Sequence, residues 1–113
     1  VEKLTLTDEW RFHIFKDTSL RAGHKVTDCA NAHPWVRTHR LGWRLSYGQK
    51  GPDDLREMAK EAVEALGLDF GAVDAARQGD GKAVILEVNT RPGLDDGDTV
   101  LRYARKIARW AGA

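Results

Sequence analysis

The apolar positions of this chain follow two periods. Residues 10–16 (WRFHIFK) are aromatic and β-branched, and alternation places Trp10, Phe12 and Ile14 on one strand face. Arg11, His13 and Phe15 fall on the other, which suggests a core on one side and a polar cleft on the other. Residues 23–28 are expected to form a second strand, returning across a turn at residues 17–19. Residues 29–41 (CANAHPWVRTHRL) carry no usable period and read as a loop. Residues 41–47 (LGWRLSY) suit a short strand and residues 48–52 (GQKGP) a turn.

The helical period is clearest over residues 54–66. Leu55, Met58, Ala59, Ala62, Val63 and Leu66 fall on one stripe. Asp54 with Glu57 resembles a capping box, and Gly67 sits where helices commonly end in a left-handed turn. Residues 70–77 (FGAVDAAR) and 83–89 (AVILEVN) are strand-like, joined by a Gly- and Asp-rich loop that predicts a hairpin. From Asp98 to about residue 111 a second helix is expected. Its apolar stripe is Val100, Leu101, Ala104, Ile107, Ala108 and Ala111, with Arg102, Arg105, Lys106 and Arg109 opposite. These elements predict an α+β domain: an antiparallel sheet of four to five strands with two main helices on one face.

Composition narrows the classes. The 113 residues suit one domain over 1–113. The net charge of +1 supplies no strong field for nucleic acid or an anionic membrane, and no apolar run reaches a membrane span. A single cysteine, Cys29, rules out an internal disulfide and suits a reducing, cytoplasmic compartment. The first residue is Val and not Met, which suits a processed chain, a recombinantly trimmed one or a piece of something longer.

The hairpin carries the candidate chemistry. Centred between Asp80 and Gly81, it sets Asp74 opposite Glu87, with Asn89 pointing the same way and Val84, Leu86 and Val88 pointing into the core. Opposed carboxylates repel unless a cation lies between them or one takes a proton. Two carboxylates and an amide carbonyl are hard oxygen donors suited to Mg²⁺, which is commonly shared with substrate phosphates. The alternative is a solvated hairpin face whose acids pair with arginines. A one-residue slip in register would undo the cluster.

With these residues in view, the string LEVNTRPGL (residues 86–94) and FGAVD (residues 70–74) resemble the C-terminal half of ATP-grasp ligases. That superfamily includes D-alanine–D-alanine ligase, glutathione synthetase and ribosomal-protein glutamate ligases. The segment EWRFHIF (residues 9–15) resembles a strand of small, often phage-associated ATP-grasp proteins. The resemblance implies Asp74, Glu87 and Asn89 as ligands of Mg²⁺ (or Mn²⁺). It implies Arg11 as a phosphate contact active in catalysis, and Lys25 as a second phosphate contact. It implies a Mg-ATP-dependent carboxylate–amine (or thiol) ligase acting through an acyl-phosphate on small carboxylate and amine substrates. The first ATP-grasp subdomain has no counterpart in these residues, so a missing N-terminal subdomain or companion chain is the expected partner, with a homo-oligomer open. The alternative is a non-enzymatic half-fold remnant serving as a binding or structural module.

Other constellations carry less. Cys29, His33 and His39 lack a standard zinc spacing. His13, Trp35, Trp43 and the basic face of the last helix suit structural roles as readily as ligand contacts. Arg91 suits either a substrate carboxylate or a pair with Asp95 or Asp96.

Overall fold

The computed structural model describes residues 6–27, 29, 31, 42–93 and 97–112. The His33, His39 and Trp35 readings and the Asp95 and Asp96 partners lie outside them. Five strands and two helices follow in the order β1 (Leu6–Phe15), β2 (Thr18–Val26), β3 (Arg44–Ser46), α1 (Asp53–Ala65), β4 (Phe70–Gln78), β5 (Ala83–Asn89) and α2 (Gly97–Trp110). The strands form one antiparallel sheet in the order β3-β2-β1-β4-β5. Among the described residues no helix is long and apolar enough to cross a membrane.

Strand β1 lies at the centre, and its alternation organises the molecule. Trp10, Phe12 and Ile14 join Ala22, Val73 and Ala75 of the neighbouring strands in a buried cluster, closed by Leu55, Ala59 and Val63 of α1. Burying an aliphatic or aromatic side chain of this size contributes about 1.5–3 kcal/mol. The Trp10 indole needs a partner because burial would otherwise strand its N–H. Nε1 donates to Asp8 Oδ2 at 2.8 Å, while the ring stacks on His24 at 4.2 Å.

Arg11, His13 and Phe15 alternate to the opposite face, and α2 lies there. Tyr103 meets His13 edge-on at 5.4 Å, and Trp110 meets Phe15 at 6.1 Å. The sheet is therefore flanked by one helix on each side, rather than by two on one face. The alternation of β1 explains this: Phe15 and His13 need cover on their own side.

Three local expectations are corrected. Strand β2 begins at Thr18, five residues earlier than its pattern suggested. Phe15 pairs with Thr18, so Lys16 and Asp17 alone make the turn, with Lys16 at φ 56°. At the start of α1 the capping residue is Pro52, and no side chain caps the helix. Asp54 instead accepts from both terminal nitrogens of Arg77, at 2.8 and 2.9 Å. The third correction is the rotation of α2. Thr99 and Tyr103 are its buried residues, whereas Val100, Leu101 and Ile107 of the expected core stripe are exposed.

A candidate metal and phosphate site on the sheet face

The register of the β4–β5 hairpin decides where its carboxylates stand. Near the tip, Arg77 pairs with Ala83, Ala76 with Val84 and Ala75 with Ile85. Beyond Ala75 the register shifts by one residue. Asp74 then pairs with Glu87, Val73 with Val88 and Ala72 with Asn89. Leu86 is the extra residue, a β-bulge of the kind that re-aims side chains beside functional sites. The bulge switches which parity of β5 meets the core. Ala83, Ile85 and Val88 pack against the cluster, and Leu86 is exposed. The expected inward set of Val84, Leu86 and Val88 thus keeps only Val88, while Glu87 and Asn89 stay on the face of Asp74.

Arg11 pairs with Asp74 on β4 and with Gly23 on β2, which places a row of polar groups across the sheet. Its guanidinium grips Asp74 with two nitrogens, Nε to Oδ1 at 2.9 Å and Nη2 to Oδ2 at 3.3 Å. Such a fork is among the stronger side-chain pairings. The hydrogen bond to Asp74 is the main cause holding the Arg11 pKa above its ordinary value, with burial opposing it and the Asp74, Tyr47 and Glu87 charges adding to it. Gly23 leaves room here: a Cβ would stand 3.0 Å from the Tyr47 ring and 3.1 Å from Leu45.

Lys25 joins the same group. Its Nζ lies 2.5 Å from Glu9 Oε2 and 3.8 Å from Asp74 Oδ2. Glu9 is buried and was missed as a candidate. The signal was available, because Glu9, Arg11 and His13 share one face of a period-two strand. Asp74 thus stands between two cations. Glu87, by contrast, is exposed, and among the described residues its carboxylate makes no hydrogen bond or close ion pair, acting on Arg11 only through its charge. Asn89 Oδ1 accepts from the backbone N–H of Arg91 at 2.9 Å, which ties it to its own turn and leaves that oxygen one lone pair.

Two carboxylates and an amide oxygen are hard donors of the kind a divalent cation takes, and the register sets them on one face of the sheet. Glu87 is unengaged, Asp74 lies directly across from it, and Asn89 is two residues further along the same face. Among the described residues no three His, Cys, Asp or Glu side chains gather as a metal cluster by themselves. An ion held here would need the Asn89 amide, Asp74 at the expense of Arg11, and further oxygen ligands from outside these side chains. A concavity of about 750 Å³ lies elsewhere, along the β2 edge between Arg21, Tyr47, Lys60 and Arg102, and none of the five candidate residues lines it.

His13 is accounted for structurally. It is buried, and Nδ1 lies 2.9 Å from the Tyr103 hydroxyl. Burial raises the Tyr103 pKa well above the ordinary phenol value. This contact fastens α2 to the site-bearing face.

Comparison with known proteins agrees with this architecture. No protein-family model matches the chain. Over 54 residues, 47% of the chain, it is 39% identical to a D-alanine–D-alanine ligase of Paraburkholderia phymatum, of which it covers 17%. The ATP-grasp ligase PsnB, solved with a precursor variant, Mg and ADP, superposes with a TM-score of 0.65 at 22% identity, over 94% of this chain and 34% of that one. A RiPP-associated ATP-grasp ligase of Chryseobacterium gregarium, solved with ADP and a leader and core peptide, gives 0.60 at 14% identity, over 93% and 34%. The chain has the α+β fold of part of an ATP-grasp ligase. It spans about a third of the length of these solved structures, and less of the curated relative.

Proposed function

We propose that this chain is the Mg²⁺- and phosphate-binding part of an ATP-dependent ligase that joins a carboxylate to an amine or thiol. The single observation that carries the reading is the opposition of Asp74 and Glu87 across the bulged hairpin, with Arg11 in the same row. In this reading Asp74, Glu87 and Asn89 hold the ion, and Arg11 and Lys25 face the nucleotide phosphates. The ion, when bound, supplies positive charge to the β- and γ-phosphates. Arg11 then exchanges one anion for another, leaving the Asp74 carboxylate for the phosphoryl group in transfer. Phosphoryl transfer depends mainly on such positioning and charge stabilisation. The substrate carboxylate oxygen takes the γ-phosphoryl and ADP departs. Attack of the amine on the acyl carbon then forms the amide and releases phosphate. A lid over the phosphates comes from a companion subdomain, which excludes water from the acyl-phosphate. The peptide complexes of the structural neighbours support a carboxylate borne on a peptide.

A second reading, a binding module without catalysis, is favoured by one observation. Arg11 and Lys25 already balance Asp74, so the face is stable without an ion. Calorimetry with Mg-ADP on this chain and on its full-length parent separates the two. The ligase reading expects the parent to show binding that needs Mg²⁺ and is lost in Asp74→Ala and Glu87→Ala. A folded, intact parent that binds neither Mg²⁺ nor Mg-ADP would favour the module.

A further inference from the structure

The apolar stripe of α2 faces water. At about 100° per residue, Val100, Leu101, Ala104, Ile107, Ala108 and Ala111 share one arc of the helix. Val100, Leu101 and Ile107 are 41, 44 and 44% exposed, and the three alanines are exposed beside them. The sheet holds the helix by a different set of groups, largely polar. Tyr103 meets His13, Arg21 Nη1 donates to Thr99 Oγ1 at 2.9 Å and pairs with Asp98 at 3.4 Å, and Arg102 Nη1 donates to the Leu20 carbonyl at 3.2 Å. These contacts fix the rotation of α2, so the stripe cannot turn inward without breaking them. Six apolar side chains aligned over three turns form a contiguous patch, and such patches mark interaction surfaces.

We propose that this stripe docks an amphipathic partner helix with an apolar seam and acidic flanks. The charge along its border selects the partner. Of the basic residues on the opposite face, Arg105 adjoins one edge of the stripe, next to Leu101 and Ala104, and Arg109 lies one turn on and further round. Both are exposed and have no acidic partner among the described residues, whereas Arg102 is already paired with Asp98. A second copy packed antiparallel on the same stripe sets Arg105 of one copy against Arg105 of the other. Like charges facing across an interface disfavour that pairing. Glutamates flanking a foreign helix meet the same border favourably. Because α2 lies on the face that carries Arg11, Asp74 and Glu87, the partner helix sits on the side where the candidate site opens. The surface does not depend on the metal reading.

The test uses the whole chain and two synthetic helical peptides of roughly 18 residues, long enough for five turns. Both carry one Leu/Ile seam, flanked by Glu in one and by Lys in the other. Fluorescence anisotropy is expected to show the Glu-flanked peptide binding about tenfold or more tighter, the factor that corresponds to 1.4 kcal/mol. The exposed double variant Leu101→Ser/Ile107→Ser, shown folded by circular dichroism, should lose binding. Arg105→Glu/Arg109→Glu should reverse the preference. Asp74→Ala should bind the peptide as the parent does, which keeps this result separate from any failure to bind Mg-ADP. Equal or absent binding of the two peptides, or binding retained by the Ser variant, would overturn the proposal. So would a dimer in light scattering that Ile107→Ser dissolves, because a second copy would then be the occupant.

Discussion

Asp74 and Glu87 stand opposite each other just past one residue of β5, Leu86, that pairs with nothing on β4. Deleting Leu86 removes the unpaired residue and leaves a regular ladder in which Ile85 still faces Ala75 and Glu87 still faces Asp74. Glu87 and Asn89 then keep the site face and Val88 the core face. The variant is expected to fold and to keep whatever divalent-ion binding the parent shows, read by Mn²⁺ electron paramagnetic resonance. A folded deletion variant that loses Mn²⁺ binding would show that the local bend of the bulge, and not the pairing alone, aims the carboxylates.

How far these features could be read from residues depends on what decides each of them. The two faces of β1 were legible because alternation in a central strand is enforced by burial on both sides. The α1 stripe was legible over Leu55, Ala59 and Val63 because one face of the helix packs on the sheet, whereas Leu66 lies past the helix end and is exposed. The opposition of Asp74 and Glu87 was also expected, but from a regular hairpin centred at its tip. The observed hairpin is offset at the tip and regains the pairing through the bulge. Within AVILEVN nothing distinguishes Leu86 from its neighbours, because the slip is settled by packing of Ile85 and Val88 together. The rotation of α2 was illegible for a related reason. Its amphipathic pattern points to the Val100–Ile107 stripe, but docking is decided by Tyr103 and Thr99 meeting His13 and Arg21, partners far away in the chain.

The two carboxylates are expected to respond differently to neutralisation. Asp74 is buried and gripped by Arg11, so Asp74→Ala leaves Arg11 without its acid, while Lys25 keeps Glu9. Discounted for the partial exposure of Arg11, the loss should be about 1–3 kcal/mol. Glu87→Gln removes a charge that repels Asp74 and attracts Arg11, so the two effects oppose each other. It should change stability by less than about 1 kcal/mol. Urea melts of both variants without divalent ions check the contrast. Equal destabilisation would mean that Glu87 also has a structural partner.

Gly51 is expected to resist substitution. It sits at φ +75°, and an added Cβ would lie 2.8 Å from Phe12 Cε1 and 3.2 Å from the Trp10 ring. Both rings are buried and cannot yield freely. Gly51→Ala therefore combines a left-handed backbone penalty of about 1–2 kcal/mol with overpacking of about 1–3 kcal/mol. Gly67 offers the control, with φ +68° and nothing within 4 Å of its Cβ position. Gly67→Ala should show only the backbone part. Thermal melts of the pair should separate the steric component, and equal shifts would remove it from the argument.

The attachment of α2 should weaken in alkali. Burial beside His13 raises the Tyr103 pKa above the ordinary phenol value. The folded protein therefore keeps the phenol proton at pH values where the unfolded chain has released it. Above about pH 10, the ordinary phenol value, the unfolded state binds fewer protons than the native state, so stability falls as pH rises. Below that pH both states hold the proton and the effect vanishes. Phenolate absorbance near 295 nm should show one of the two tyrosines titrating late, in step with loss of α2 protection in amide exchange. Tyr103→Phe cannot ionise, so its stability should stay flat where the parent declines. It should also sit slightly below the parent at neutral pH, because the His13 Nδ1 contact is lost. An alkaline decline that persists undiminished in Tyr103→Phe would place its origin in another group.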